Sequence, residues 1–164
     1  MVPIDVRPAE PGDAEAIRAI YNAEVTGSTV TFDLVPRTPQ DQLAWQARHS
    51  GAHPAVVAVR AGDVVGFASL SAYRDRPAYS TTVEDSVYVH AEHRGEGVGR
   101  VLLTEICRLA TVHGFHAVMA RIADAQPASI GLHQACGFEL VGVEREVGRK
   151  FGRWLDVAVM QKLL

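Results

Sequence analysis

Thr81-Thr-Val-Glu-Asp-Ser-Val-Tyr-Val-His90, running on through Arg94-Gly-Glu-Gly-Val-Gly99 into a helical run to His113, decides how this chain reads. The stretch is a strand, a glycine-rich turn and a helix. Side chains alternate faces along a strand. Val83, Val87 and Val89 are therefore set one way, and Thr82, Glu84, Ser86 and Tyr88 the other. A carboxylate in mid-strand among valines is costly unless it faces a polar cleft. Glycines let backbone amides close on a ligand, and a helix start adds unpaired N–H groups and the positive end of a dipole. Pyrophosphate suits such a turn. No Lys-Ser/Thr pair follows the glycines, so this is not a P-loop, and Gly95-x-Gly97-x-Gly99 lacks the spacing of the dinucleotide fingerprint. What stands is Arg94-x-x-Gly97-x-Gly99, with a purely structural turn as the competing reading.

Outward from this stretch the chain is punctuated clearly. Upstream, Ala55–Arg60 and Val64–Ser71 are β-rich runs joined by Ala61-Gly62-Asp63, which makes a hairpin. Ile4–Arg7 is a short first strand. Asp13 is placed to cap a helix that carries Ala16, Ile17, Ile20 and Tyr21 on one face. Residues 26–35 have no helical period and read as a loop with a short extended piece around Phe32. Thr38-Pro39-Gln40-Asp41 opens a second helix carrying Leu43, Ala44 and Ala47, with Trp45 beside them. Downstream, Gly114 suits a left-handed cap. Ala117–Ile122 is a buried strand, Pro127 opens a helix to Cys136, and Phe138–Val143 and Leu155–Met160 are the last strands. The order is strand, two helices, three strands, helix, strand, helix, two strands. It implies an α+β fold: one mixed sheet with helices packed on it, in a single domain over residues 1–164.

Bulk properties narrow the function. At 164 residues the chain can bury a full core without staples. A net charge of −3 lacks the footprint of a nucleic-acid binder. The apolar runs are shorter than the ~20 residues a membrane helix needs. Met1-Val-Pro-Ile has neither a basic start nor an apolar signal region, so a cytoplasmic location is expected. Cys107 and Cys136 have no CxxC or metal spacing and read as reduced core thiols. His90 and His93 lack a third ligand, so no metal is expected. Trp45 and Trp154 sit among apolar residues as core or interface, and Phe32 is core or a pocket wall.

The Arg94-x-x-Gly97-x-Gly99 turn after a strand, with its helix, resembles the acetyl-CoA site of the GNAT superfamily of N-acetyltransferases. Further segments resemble the phosphinothricin and methionine sulfone/sulfoximine acetyltransferases: Tyr21-Asn22, Phe32, Pro36-Arg-Thr38, Trp45, Thr82–Val89, Ser129-Ile-Gly-Leu-His133, Gly137-Phe138 and Val147-Gly-Arg-Lys-Phe-Gly-Arg-Trp-Leu-Asp-Val157. The last is the most distinctive, and the resemblance spans nearly the whole chain. It implies a mostly antiparallel sheet with helices on both faces, acetyl-CoA as co-substrate, a small-molecule amine as acceptor, and a homodimer.

The resemblance also distributes roles. Glu84 becomes the general base, and burial raises a carboxyl pKa toward a useful value. An ion pair or an exposed sheet edge is the alternative for Glu84. Backbone amides around Val87, Tyr88 and Val89 are candidates for the thioester arm, unless they are ordinary ladder donors. Arg94, Gly95, Glu96, Gly97, Val98, Gly99 and Arg100 are expected at the pyrophosphate, with Gln126 and Ser129 along the pantetheine. Arg74, Arg76 and Tyr79 would grip the substrate's carboxylate and its tetrahedral oxygens, because a guanidinium fork bonds two oxygens at once. Phe32, Ser86 and Val157 complete the substrate set. His133 either orients the substrate, relays a proton, or is structural. Gln126 stands where the family usually has Asn; it is a poor helix cap, which leaves its cofactor contact open. Rival readings are an acetyltransferase for another small amine or amino acid and an acyl-CoA-binding regulatory module without turnover.

Overall fold

The computed structural model describes residues 2–164. Its strands are β1 (Asp5–Pro8), β2 (Ala55–Arg60), β3 (Asp63–Ala72), β4 (Thr82–Val89), β5 (Ala117–Ala123), β6 (Glu139–Lys150) and β7 (Arg153–Leu163). The helices are α1 (Ala14–Gly27), α2 (Pro39–Arg48), α3 (Val98–Val112) and α4 (Pro127–Ala135). One sheet takes all seven strands in the order β1-β2-β3-β4-β5-β7-β6. Every neighbouring pair is antiparallel except β4 with β5. The element order and the α+β architecture match the reading of the sequence.

Alternation along the strands divides the core in two. Val56, Ala58, Leu70, Val83, Val118 and Ala120 face α3, whose Leu102, Leu103 and Ile106 are fully buried against them. Val57 and Phe67 face the other way and meet Ile17, Ile20 and Tyr21 of α1 and Trp45 of α2. Helices thus cover both faces, and β2 is buried and apolar on both sides, whereas β4 keeps Thr82, Glu84 and Ser86 on its α1 side.

The feature that positions the site is a break between the middle strands. β4 and β5 pair only from Thr82↔Ala117 to Glu84↔Met119, whereas β3 follows β4 as far as Gly66↔Val89. Beyond Glu84, therefore, β4 has no partner on its β5 side. The His90 amide donates to the Val65 carbonyl at 2.9 Å. Alternate residues of an antiparallel strand bond to the same neighbour. Tyr88 and Ser86 consequently bond to β3, and the amides of Val87 and Val89 are aimed into the gap.

Several local expectations are corrected. Asp13 does not cap α1, because a 3-10 turn at Pro11–Asp13 precedes that helix and gives Asp13 helical angles. Its carboxylate instead pairs with Arg7 at 2.7 Å and accepts the Glu10 amide at 2.7 Å. Thr38 does cap α2, accepting from the Asp41 amide at 3.1 Å. That helix buries Gln42 and Trp45, whereas Leu43 is exposed. Trp45 sets the face: its ring meets Phe67 edge-on and stacks on His49. Trp154 is not core; it is exposed, and the Arg149 guanidinium lies 4.9 Å from its ring centre. Residues around Phe32 form bends rather than a strand. The last two strands are longer than their apolar runs, because polar residues continue the ladder to Lys150↔Arg153. Phe151 and Gly152, both with positive φ, close that hairpin as a type I′ turn.

Candidate active site

A cleft of about 690 Å³ opens where β4 and β5 part. Its walls come from β4, the 91–97 turn, the starts of α3 and α4, the ends of β5, and residues 30–32. Two approaches meet in it, because the two faces of β4 differ. Val87 and Val89 pack toward α3, while Tyr88 packs with the α1 side. Glu84 and Ser86 share Tyr88's face by the period of two.

The α3 end of the cleft is built for an anion. Gly97 is the N-cap of α3 with φ +87° and offers no side-chain cap. A left-handed residue there is costly for any other side chain, so the position demands glycine. The first intrahelical bond runs from the Val101 amide to the Gly97 carbonyl at 3.2 Å. The amides of Val98, Gly99 and Arg100 have no carbonyl within the helix to bond. A Cβ placed at Gly97 would meet nothing within 4 Å, so the space above the turn is open. Arg94 and Arg100 stand exposed at the rim. These amides and cations, with the gap-facing amides of Val87 and Val89, fit a pyrophosphate followed by an extended amide-bearing arm.

Glu84 sits at the point where the strands part. It is half-buried, and burial pushes its carboxyl pKa up; Arg121 and Arg74 pull it down while Asp85 and Glu144 add to the rise, and the net shift is upward. Asp85 faces the opposite way and is buried with His133. His133 Nδ1 donates to the Ser129 carbonyl at 2.8 Å, and Nε2 meets Asp85 Oδ2 at 3.2 Å. Burial lowers the His133 pKa, but the hydrogen bond and charge of Asp85 outweigh it, so the ring is held above its ordinary value. Both ring nitrogens thus already have acceptors.

Of the residues singled out by sequence, Phe32, Glu84, Ser86, Val87, Tyr88, Val89, Arg94, Gly95, Val98, Gly99, Arg100, Gln126, Ser129, His133 and Val157 line this cleft with Gly97. Glu96 does not. It turns away to pair with Arg60 and lies 3.3 Å from His93 Nδ1. Arg74, Arg76 and Tyr79 stand outside the wall. Arg74 is exposed, with its guanidinium 4.9 Å from the centre of Tyr73 and 5.8 Å from that of Tyr79. Gln126 is the N-cap of α4 without a cap bond, and its Nε2 donates to Thr29 Oγ1 at 3.3 Å. Tyr88 packs between Phe67 and Tyr21, and burial pushes its phenol pKa up.

Among the wall residues not expected from the sequence, three carry a carboxylate or a guanidinium. Asp85 shares the parity of Val83 and Val87, and an acid on an apolar face signals a buried partner. Arg121 is the lone charge in the run Ala117–Ala123 and pairs with Glu144. Glu24 lies within an apolar helical face, where it pairs with Arg94. No group of three or more His, Cys, Asp or Glu suited to a metal occurs among the described residues.

Residues 15–138 match the Acetyltransferase (GNAT) family. The L-methionine sulfoximine/L-methionine sulfone acetyltransferase of Pseudomonas paraeruginosa is 40% identical over 158 residues, covering 95% of this chain and 92% of that protein. The phosphinothricin N-acetyltransferase of Alcaligenes faecalis is 40% identical over 161 residues, covering 97% and 82% respectively. Among solved structures, a GNAT superfamily phosphinothricin acetyltransferase from Sinorhizobium meliloti in complex with AcCoA superposes with a TM-score of 0.94 at 40% identity, over 98% of this chain and 88% of that one.

Proposed function

This chain belongs to the acetyltransferase (GNAT) family and uses acetyl-CoA, and from that premise we propose that it acetylates the α-amine of a small amino-acid analogue with Glu84 as general base. The methionine sulfone/sulfoximine and phosphinothricin types are the substrates of choice, as the names of its relatives suggest. The observation that carries the mechanism is the placement of a half-buried carboxyl with a raised pKa beside a gap lined by free amides.

An α-ammonium entering from the α1 face gives a proton to Glu84. The neutral amine attacks the thioester carbonyl, forming the C–N bond. Amides of Val87 and Val89 are the donors available to the developing oxyanion and the pantetheine, which such donors stabilise more than the ground state. Collapse breaks the C–S bond, the thiolate takes the second amine proton, and CoA leaves as the thiol. Val98, Gly99, Arg100 and Arg94 hold the pyrophosphate; Gly95 leaves it room, while Glu96 shapes the turn from behind through Arg60. Gln126 and Ser129 border the arm, and Phe32, Ser86 and Val157 wall the amine. Arg74, Arg76 and Tyr79 line the approach. His133 positions rather than reacts: it holds Asp85, and with it β4, at the split.

The same reading extends to the surroundings. Leu140, Val141 and Val143 on edge strand β6, with Phe151 and Trp154 on its hairpin, are exposed apolar residues, and they support a homodimer that covers them. We read residues 1–164 as a single domain, and one sheet taking all seven strands of the described residues supports that reading. No helix among the described residues is long and apolar enough to cross a membrane, and we assign the enzyme to the cytoplasm, where acetyl-CoA and reduced thiols are both at hand.

The test is release of CoA thiol from acetyl-CoA across methionine sulfone, methionine sulfoximine, phosphinothricin, free amino acids and polyamines, with mass spectrometry of the products. Turnover concentrated on the first three supports the reading. Tight acetyl-CoA binding without turnover of any amine overturns it.

A further inference from the structure

One cation in the cleft wall has no part in the chemistry above. Arg121 lies on β5, two residues beyond Met119, which pairs with Glu84. Because β4 and β5 run parallel and side chains alternate, Arg121 and Glu84 project from the same face of the sheet. The strands have parted by that point, so Arg121 looks across the open cleft toward the carboxylate.

Its guanidinium is held in place. Glu144 on β6 accepts from both terminal nitrogens, at 2.9 and 2.6 Å. A guanidinium has five N–H donors, so two remain on these nitrogens and one on Nε. Glu144 therefore fixes the plane of the group without exhausting it. The pair is also partly exposed, at 32% and 38%. An ion pair of that exposure adds little to stability, so a purely structural role explains poorly why a charge occupies this strand. The cations expected from the sequence at the substrate, Arg74 and Arg76, stand outside the wall, and of the two Arg74 is near enough for its charge to act on Glu84, less strongly than that of Arg121.

We propose that Arg121 is an anion-recognising residue of the amine site: it receives the anionic or strongly polar oxygens of the substrate whose ammonium group approaches Glu84. The inference rests on the amino-acid acetyltransferase reading and deepens it. A zwitterion then finds a carboxylate for its cation and a guanidinium for its oxygens on one face, which fixes the amine's direction of attack. The positive charge of Arg121 is also the largest electrostatic influence opposing the rise of the Glu84 pKa. Two groups on the substrate have the required chemistry, the α-carboxylate and the side-chain sulfone or phosphinate oxygens.

The experiment compares wild type, Arg121→Met and Arg121→Lys with methionine sulfone and with its decarboxylated counterpart, 3-(methylsulfonyl)propylamine. Arg121→Met is expected to lower kcat/KM for methionine sulfone by roughly 10- to 100-fold, as loss of a charged hydrogen bond predicts. The loss lies mainly in KM for the amine, and KM for acetyl-CoA stays within about twofold. Arg121→Lys recovers part of it, because Lys keeps the charge and lacks the fork. If the α-carboxylate is the partner, the decarboxylated amine is indifferent to the substitution; equal losses on both amines assign the sulfone oxygens. Unchanged kinetics for methionine sulfone, or equal rises in both KM values, overturns the inference and leaves Arg121 a tether for Glu144. Wild type that turns over no amine overturns the proposed function, and this inference with it.

Discussion

Asp85→Asn separates a structural from a catalytic role for His133, and its cost follows from the geometry. Both side chains are buried, the ring donates from Nδ1 to the Ser129 carbonyl at 2.8 Å, and the carboxylate faces Nε2 at 3.2 Å. Deleting one partner of a buried ion pair outright costs about 3–5 kcal/mol. Asparagine keeps the shape, and its amide can donate to a neutral Nε2, so the loss falls to about 1–3 kcal/mol. For a chain of this length that is a Tm lower by roughly 2–12 °C. The pH dependence has a definite sign. Asp85 holds the His133 pKa above its ordinary value against the opposing effect of burial. The stability from this pair is therefore fully present below about pH 6.5, the unfolded histidine value, and is lost as pH rises through the folded pKa. Urea and thermal unfolding at pH 6 and pH 9 should show a penalty that is large at the lower pH and shrinks at the higher. Meanwhile kcat should stay within about tenfold of wild type, less than removal of a proton-transfer group usually costs. Unchanged stability at both pH values, with kcat down 100-fold or more, would refute the structural assignment and make the pair a proton relay.

Two further substitutions probe the walls. Gly148→Ala places a Cβ against Phe32 Cε2 and 2.5 Å from its Cζ, so the ring must swing aside. The prediction is a KM for methionine sulfone raised roughly three- to tenfold, as loss of about 1 kcal/mol of positioning implies, with KM for acetyl-CoA unchanged; an unaltered amine KM shows that Phe32 is no part of the pocket. Arg60→Met removes the cation that ties Glu96 of the glycine turn to β2. It should raise KM for acetyl-CoA by a similar roughly three- to tenfold while leaving the amine KM alone, and steady-state titration of each substrate reads the difference.

Much of the fold was legible because its signals are local. The period of two in Thr81–Val89, the Gly62-Asp63 turn, the Thr38-Pro39 start and the glycines at 97 and 114 each act within a few residues. What the sequence hid depends on contacts between distant segments. Asp85 stands on the apolar side of β4, but its partner His133 lies 48 residues on. Arg121 interrupts an apolar strand, yet only the β6–β7 pairing brings Glu144 to it. The polar end of β6, Gly148 to Lys150, reads as loop because pairing with β7 rather than an apolar pattern keeps it extended, beyond a register break at which Glu146 has a positive φ. Even so Lys150 is buried, and its Nζ donates to the Thr31 carbonyl at 2.9 Å. The buried face of α2 departs from its apolar pattern because Gln42, a polar residue, is fully buried with its Oε1 accepting from Arg37 at 3.1 Å.

The claim on which the rest depends is that Glu84 accepts the amine proton, and the pH profile of kcat/KM for wild type and Glu84→Gln with methionine sulfone tests it directly. Burial raises the Glu84 pKa, and only the ionised carboxylate can take a proton. Wild-type activity should therefore fall as pH drops, along an acid limb centred above the usual glutamate value of about 4.3. Glu84→Gln should lose that limb and run ~10²–10³-fold slower at neutral pH. An unchanged rate at neutral pH, with the acid limb still in place, would contradict the account.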